Sequence, residues 1–152
     1  MTTHAYAETY LNDAMNNLGD MFDYAINDCG YAPGDFFDMF ILSEVARYVE
    51  HGNPKYVAGL SGIELADKVT GRNSEPVQTA VCNIEKSAEY WAGWALAYYQ
   101  WITGKSFIEI KNKGLTFQKI LSLYPTLHEA DLSKFVQVAE EYYPQQDPAG
   151  SV

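Results

Sequence analysis

The stretch PVQTAVCNIEKSAEYWAGWALAYYQWIT, Pro76 to Thr103, decides how the chain is read. Its residues Val77, Val81, Ile84, Ala88, Trp91, Ala95, Tyr98 and Ile102 recur in alternating steps of four and three, the spacing that lines one face of an α-helix. Pro76 suits a first helical turn and Gly104 a C-terminal stop, so the pattern predicts one long helix over about 76–103. No charged residue occurs from Tyr90 to Thr103, so the second half of this helix should be surrounded by others and form the axis of the fold.

Working outward, Leu11, Ala14, Met15, Leu18, Phe22 and Ala25 share one side of a helical wheel, opposite Asn12, Asp13, Asn16, Asp20, Asp23 and Asn27, which predicts an amphipathic helix from about His4 to Asn27. Gly30 and Ala32-Pro33-Gly34 end it. Asp35 then reads as an N-cap with Asp38 at the third helical position, opening a second helix from Phe36 to His51 that Gly52 and Asn53-Pro54 stop. Ser61-Gly62-Ile63-Glu64 has the form of a capping box for a short helix ending at Gly71, and Thr126-Leu127-His128-Glu129 has the same form for a last helix to about Tyr143. Pro144 ends the ordered part, and residues 145–152 read as a disordered tail. With no alternating strand pattern, the economical architecture is all-α: a single domain over 1–144, with acidic helices over 4–51, the central helix over 76–103 and a helical C-terminal part over 105–143.

The charge is lopsided. Glu8, Asp13, Asp20, Asp23, Asp28, Asp35, Asp38, Glu44 and Glu50 stand against Arg47 alone, a local charge of −8 within a chain total of −10. A one-signed field of this kind repels nucleic acid and membrane phosphates and attracts basic surfaces. An apolar content of 47% with 14% aromatics places that acid on a folded body rather than a disordered tail. The N-terminal residues lack a basic and apolar leader pattern, and no apolar run approaches membrane-spanning length, so the expected setting is cytoplasmic. Cys29 and Cys82 lack metal-ligand or redox spacing and read as reduced structural thiols.

Catalytic patterns are not visible. His4, His51 and His128 are scattered, Glu85 and Glu89 form an isolated pair one turn apart, and no phosphate-binding glycine loop or nucleophile elbow occurs. The expectation is a non-enzymatic protein without cofactor or metal. The aromatic run containing Trp91, Trp94 and Tyr98 reads first as packed core and second as the wall of a ligand pocket.

Within 102–143, Ile102-Thr103-Gly104, Gly114-Leu115-Thr116, Ile120-Leu121, Tyr124-Pro125-Thr126-Leu127, Asp131 and Ala139 resemble the small helix-turn-helix antitoxin-like domains found beside PIN-type toxins. The resemblance implies a DNA-reading or dimerising helix pair. From Lys105 to Tyr143, however, five lysines meet five carboxylates and there is no arginine, which disfavours direct nucleic-acid binding.

Together these readings lead to an acidic inhibitor that docks on a basic protein: a toxin, a nuclease or another nucleic-acid-binding protein. Antitoxins, phage anti-defence or anti-CRISPR proteins and nucleic-acid mimics share that physics. Asp13, Asp20, Asp23, Asp35, Asp38 and Glu44 would steer the complex, and Tyr6 and Tyr10, expected to be exposed, would anchor it. The alternatives are a helix-turn-helix DNA regulator, acting as a homodimer, and a small-molecule binder or enzyme built on the aromatic pocket.

Overall fold

Apolar residues at helical spacing build α1, Leu11–Asp23, whose buried side is Ala14, Met15, Leu18, Gly19, Met21 and Phe22. The computed structural model describes residues 4–71 and 87–142, and every regular element among them is helical. The fold is all-α.

The helix expected from His4 starts later. Ala5 N–H donates to Trp101 O at 2.9 Å and Trp101 Nε1–H donates to Tyr6 O at 2.7 Å, so the first residues form a strap across the end of the central helix. A single 3-10 turn, Glu8–Tyr10, leads into α1, and a π-helical turn, Tyr24–Asp28, follows it.

The single helix expected over 36–51 is two, α2 (Pro33–Ile41) and α3 (Glu44–Glu50). Ser43 divides them: its backbone is extended, its Oγ accepts Ala46 N–H, and its hydroxyl donates to Phe40 O at 2.7 Å. One side chain thus satisfies a terminal carbonyl of α2 and an initial N–H of α3. Nor does Asp35 cap α2. Ala32 holds the N-cap position and Pro33 the first turn, which leaves Asp35 inside that turn, where its charge still suits the positive helix end.

A second π-helical turn, Lys55–Gly59, precedes α4, Gly62–Thr70. Here the expected capping box is complete: Glu64 N–H donates to Ser61 Oγ at 3.1 Å and Ser61 N–H to Glu64 Oε1 at 2.9 Å, and Gly71 closes the helix at φ 77°.

The central helix α5 runs Ala88–Thr103 and ends at Gly104 in the left-handed conformation. It is shorter than the pattern from Pro76 implies. Ser87 is extended at ψ 166° and its Oγ accepts Tyr90 N–H at 2.9 Å, so the helix begins there; 76–86 lie outside the described residues. Ten of its 16 residues are buried, Gln100 among them, so α5 is the axis of the fold.

Beyond it come α6 (Phe107–Asn112), α7 (Phe117–Ser122), α8 (Tyr124–Leu127) and α9 (Leu132–Tyr142). The last helix does not open at Thr126, which sits inside the short α8 behind Pro125. It opens after Asp131, whose carboxylate accepts Ser133 N–H at 2.9 Å. The tail over 145–152 lies outside the described residues.

Packing is centred on α1, which lies against α5 and α4. Two glycines permit these approaches: a Cβ on Gly93 would stand 2.7 Å from Leu18 O, and one on Gly62 would stand 2.6 Å from Met21 N. Phe22 of α1 stacks on Phe117 at 4.2 Å and meets Phe36 and Phe40 edge-on. Residues from all nine of these α-helices join one apolar core. No described helix is long and apolar enough to cross a membrane.

Candidate functional site

The polar face of α1 divides into an outer and an inner part. Asp13 and Asp20 are exposed, but Asp23 is half-buried against the start of α5, where its carboxylate accepts the Ser87 hydroxyl and, at 2.8 Å, Asn27 Nδ2. The other reach of Asn27 Nδ2 is to Glu89 Oε1 at 3.1 Å, and the Tyr90 hydroxyl donates to Asn16 Oδ1 at 2.8 Å. Burial, with the nearby Asp20 charge, pushes the Tyr90 phenol up to about 12. This seam joins α1 to α5 and sets a carboxylate beside the positive end of the central helix, so Asp23 is a structural residue rather than a docking one.

A second acidic region lies on α2 and α3. Asp35, Asp38 and Glu44 are exposed, and Asp38 is ion-paired with Lys111 of α6. Gln118 of α7 lies so close to Gly34 that a Cβ there would collide with its amide. Two aliphatics are exposed, Leu42 at 74% and Ile108 at 43% of their full accessibility. The periodicity singles out neither, because exposure depends on what the fold lays over each turn.

The expected aromatic anchors are packed instead. Tyr6 is partly buried with its hydroxyl inside, its body lies over Gly52, and burial holds its phenol far above the ordinary value. Tyr10 packs against the core. Tyr6 is held inward by the strap's hydrogen bonds to Trp101, and neither tyrosine projects freely to solvent, which corrects the expectation that they do.

Trp91, the first residue of the expected pocket, is 6% exposed and fitted edge-on between Tyr124 at 5.8 Å and Phe135 at 5.6 Å, so core packing accounts for it. Trp94 and Tyr98 pack partly buried against the same core, and the Tyr98 ring meets Trp101 at 6.0 Å. A shallow groove of about 480 Å³ lies elsewhere, between the strap, the end of α5 and α9, lined by His4, Ile102, Thr103, Lys105, Val136 and Glu140. Glu140 there accepts the Tyr99 hydroxyl. Three distant segments build this groove, so no local motif announces it.

Among the described residues no group of three or more His, Cys, Asp or Glu side chains is placed to hold a metal ion. No protein-family profile, curated protein or solved structure matches the chain.

Proposed function

We propose that this chain is a non-catalytic binding protein that docks on a basic protein partner through the acidic surface of its N-terminal half. The supporting observation is the exposed charge. Over 4–71, Glu8, Asp13, Asp20, Asp28, Asp35, Asp38, Glu44 and Glu64 are all exposed, against the exposed cations Arg47, Lys55 and Lys68. Helical surfaces ordinarily mix the two signs, because like charges cost stability and opposite ones at helical spacing return some. A field with so large an excess of one sign steers an oppositely charged partner and accelerates encounter.

The same surface weighs against a DNA-reading role for the C-terminal helices. Lys111 is engaged by Asp38, and α7 lies beside the first turn of α2 with Asp35 in it, so carboxylates would face the phosphates. A cytoplasmic setting belongs to this proposal. Toxin neutralisation and nuclease blocking by nucleic-acid mimicry both follow from this physics.

The test is capture of a basic protein from native lysate by the tagged chain after nuclease treatment, at low and high salt. The reading expects a basic protein that is retained at low salt, released by salt, and lost from Asp13→Asn/Asp35→Asn/Glu44→Gln. Capture insensitive to both salt and that triple change would overturn it. Competition by DNA for the captured protein assigns the mimic version; its absence assigns neutralisation.

A further inference from the structure

We propose that the groove at the C-terminal end of α5 binds a small aliphatic zwitterion, an aliphatic amino acid or a dipeptide, with its ammonium on Glu140, its carboxylate on Lys105 and its aliphatic part on Ile102 and Val136. The site uses none of the acids of the proposed docking surface and stands apart from that reading.

Consecutive residues at the end of α5 hold the walls in place. The Tyr99 hydroxyl donates to Glu140 Oε2, which fixes that carboxylate of α9 at the groove. Gln100, 1% exposed, donates from Nε2 to Lys105 O at 3.0 Å. Trp101 carries the strap through its bonds to Ala5 N–H and Tyr6 O, and the His4 ring lies 3.9 Å from its ring, so His4 closes one side. Ile102 lines the groove itself. Thr103 Oγ1 accepts Lys105 N–H at 3.3 Å while its hydroxyl donates to Tyr99 O at 2.7 Å. The last five residues of a helix with no charge from Tyr90 onward thus position a carboxylate, an amine-bearing residue and an imidazole around one groove. Supporting hydrogen bonds of this kind set a site's geometry before a ligand arrives.

Charge selects the ligand. Lys105 and Glu140 both line the groove, yet among the described residues no ion pair joins them. Lys105 also favours the charged form of Glu109 on α6, again without an ion pair, so its ammonium is not locked to that carboxylate. Tyr99 engages one oxygen of Glu140, and the other is placed to accept an ammonium. Ile102 and Val136 add apolar surface. A purely cationic ligand would meet Lys105 and a purely anionic one Glu140; a molecule with both signs and an aliphatic part finds a complement for each. The volume of about 480 Å³ falls in the range of small-ligand sites, roughly 300–1,000 Å³.

The experiment titrates the full isotope-labelled chain with leucine, with the dipeptide alanyl-leucine, and with the N-acetylated and C-amidated form of each. The proposal expects at least one unblocked probe to saturate by about 10 mM, to shift the amides of Ile102, Lys105, Val136 and Glu140, and to bind about tenfold more tightly than either of its blocked forms. Saturation by leucine alone assigns the free amino acid, and saturation by alanyl-leucine alone assigns the dipeptide. Lys105→Met and Glu140→Gln should each weaken binding about tenfold at an unchanged melting temperature. Glu140→Gln keeps an acceptor for Tyr99, and in that variant N-acetylation of the probe should cost nothing further while C-amidation still weakens it. Asp13→Asn/Asp35→Asn/Glu44→Gln should bind the probes as the wild type does, so failure here leaves the acidic-surface reading untouched. No saturable shift, shifts confined to other parts of the chain, or equal binding of blocked and unblocked probes would overturn the proposal.

Discussion

The Glu50 carboxylate accepts the backbone N–H of Phe107 at 2.7 Å, tying the last residue of α3 to the first residue of α6 across 57 positions of sequence. A carboxylate at a helix start supplies an acceptor to an N–H that the helix itself leaves unpaired. Partial burial is the larger influence on this group and holds the Glu50 pKa above the ordinary glutamate value, against the lowering by Phe107 N–H, His51 and Arg47.

The sign of the consequence is fixed. An acid whose folded-state pKa is raised binds more protons folded than unfolded, so its ionisation removes stability as pH rises through the folded value. Glu50→Gln keeps an acceptor for Phe107 without the charge. It should therefore melt no lower than the wild type at neutral pH, with any advantage shrinking as pH falls through the raised folded value toward the unfolded glutamate value. Glu50→Ala should lose about 1 kcal/mol through the missing hydrogen bond. Thermal melts across a pH series check both.

Ser87 is the hinge between Asp23 and the start of α5, accepting Tyr90 N–H while its hydroxyl donates to Asp23. Ser87→Ala should cost about 1–2 kcal/mol in urea denaturation, the upper part of the range for a lost N-cap, because Asp23 loses a partner as well. Ser87→Thr should recover most of that loss. Ser87→Asp, a good cap on other helices, should not recover it, because it sets a second carboxylate against Asp23.

Gly93 and Gly62 each mark a close approach to the backbone of α1. The added methyl of Gly93→Ala would meet Leu18 O at 2.7 Å and Phe22 at 2.8 Å; that of Gly62→Ala would meet Asp20 Cβ at 2.4 Å and Met21 N at 2.6 Å. Backbone atoms cannot swing aside as a side-chain end can. Each substitution should destabilise by about 1–3 kcal/mol despite the better helix propensity of alanine, which is worth up to about 1 kcal/mol. Chemical denaturation with retained helical circular dichroism is the readout.

Tyr6 and Tyr90 should titrate late. Burial raises both phenols above the ordinary value near 10, Tyr90 to about 12, so the folded state holds their protons longer than the unfolded chain does. The stability linked to them is complete below the unfolded tyrosine pKa and disappears as pH rises through the folded values. An alkaline ultraviolet titration should place both Tyr6 and Tyr90 in its late phase. Tyr6→Phe and Tyr90→Phe should each remove one group from the late phase.

Local signals were legible where the partners lie within one turn. The Ser61–Glu64 box, the Gly104 stop and the apolar side of α1 follow from spacing, because each concerns residues three or four apart. The break at Ser43 and the start at Asp131 carry local cap chemistry too, yet in both places the continuing apolar run and a competing cap at Thr126 pointed to one longer helix.

What tertiary structure decided was which local option prevailed and which side chains were left over. The heptad pattern runs past Ser87, but Asp23, 64 residues away, holds the hydroxyl that caps α5, and no local periodicity encodes that contact. Charge content likewise declared an acidic half without saying that Asp23 is drawn into a seam, that Lys111 answers Asp38, or that Leu42 and Ile108 remain in solvent. The sequence by itself determined the helical class, the Ser61–Glu64 box, the Gly71 and Gly104 stops and the sign of the field, because these depend on residue type and short spacing. The surface that meets a partner was decided by packing, since exposure is whatever remains after distant helices have covered one another.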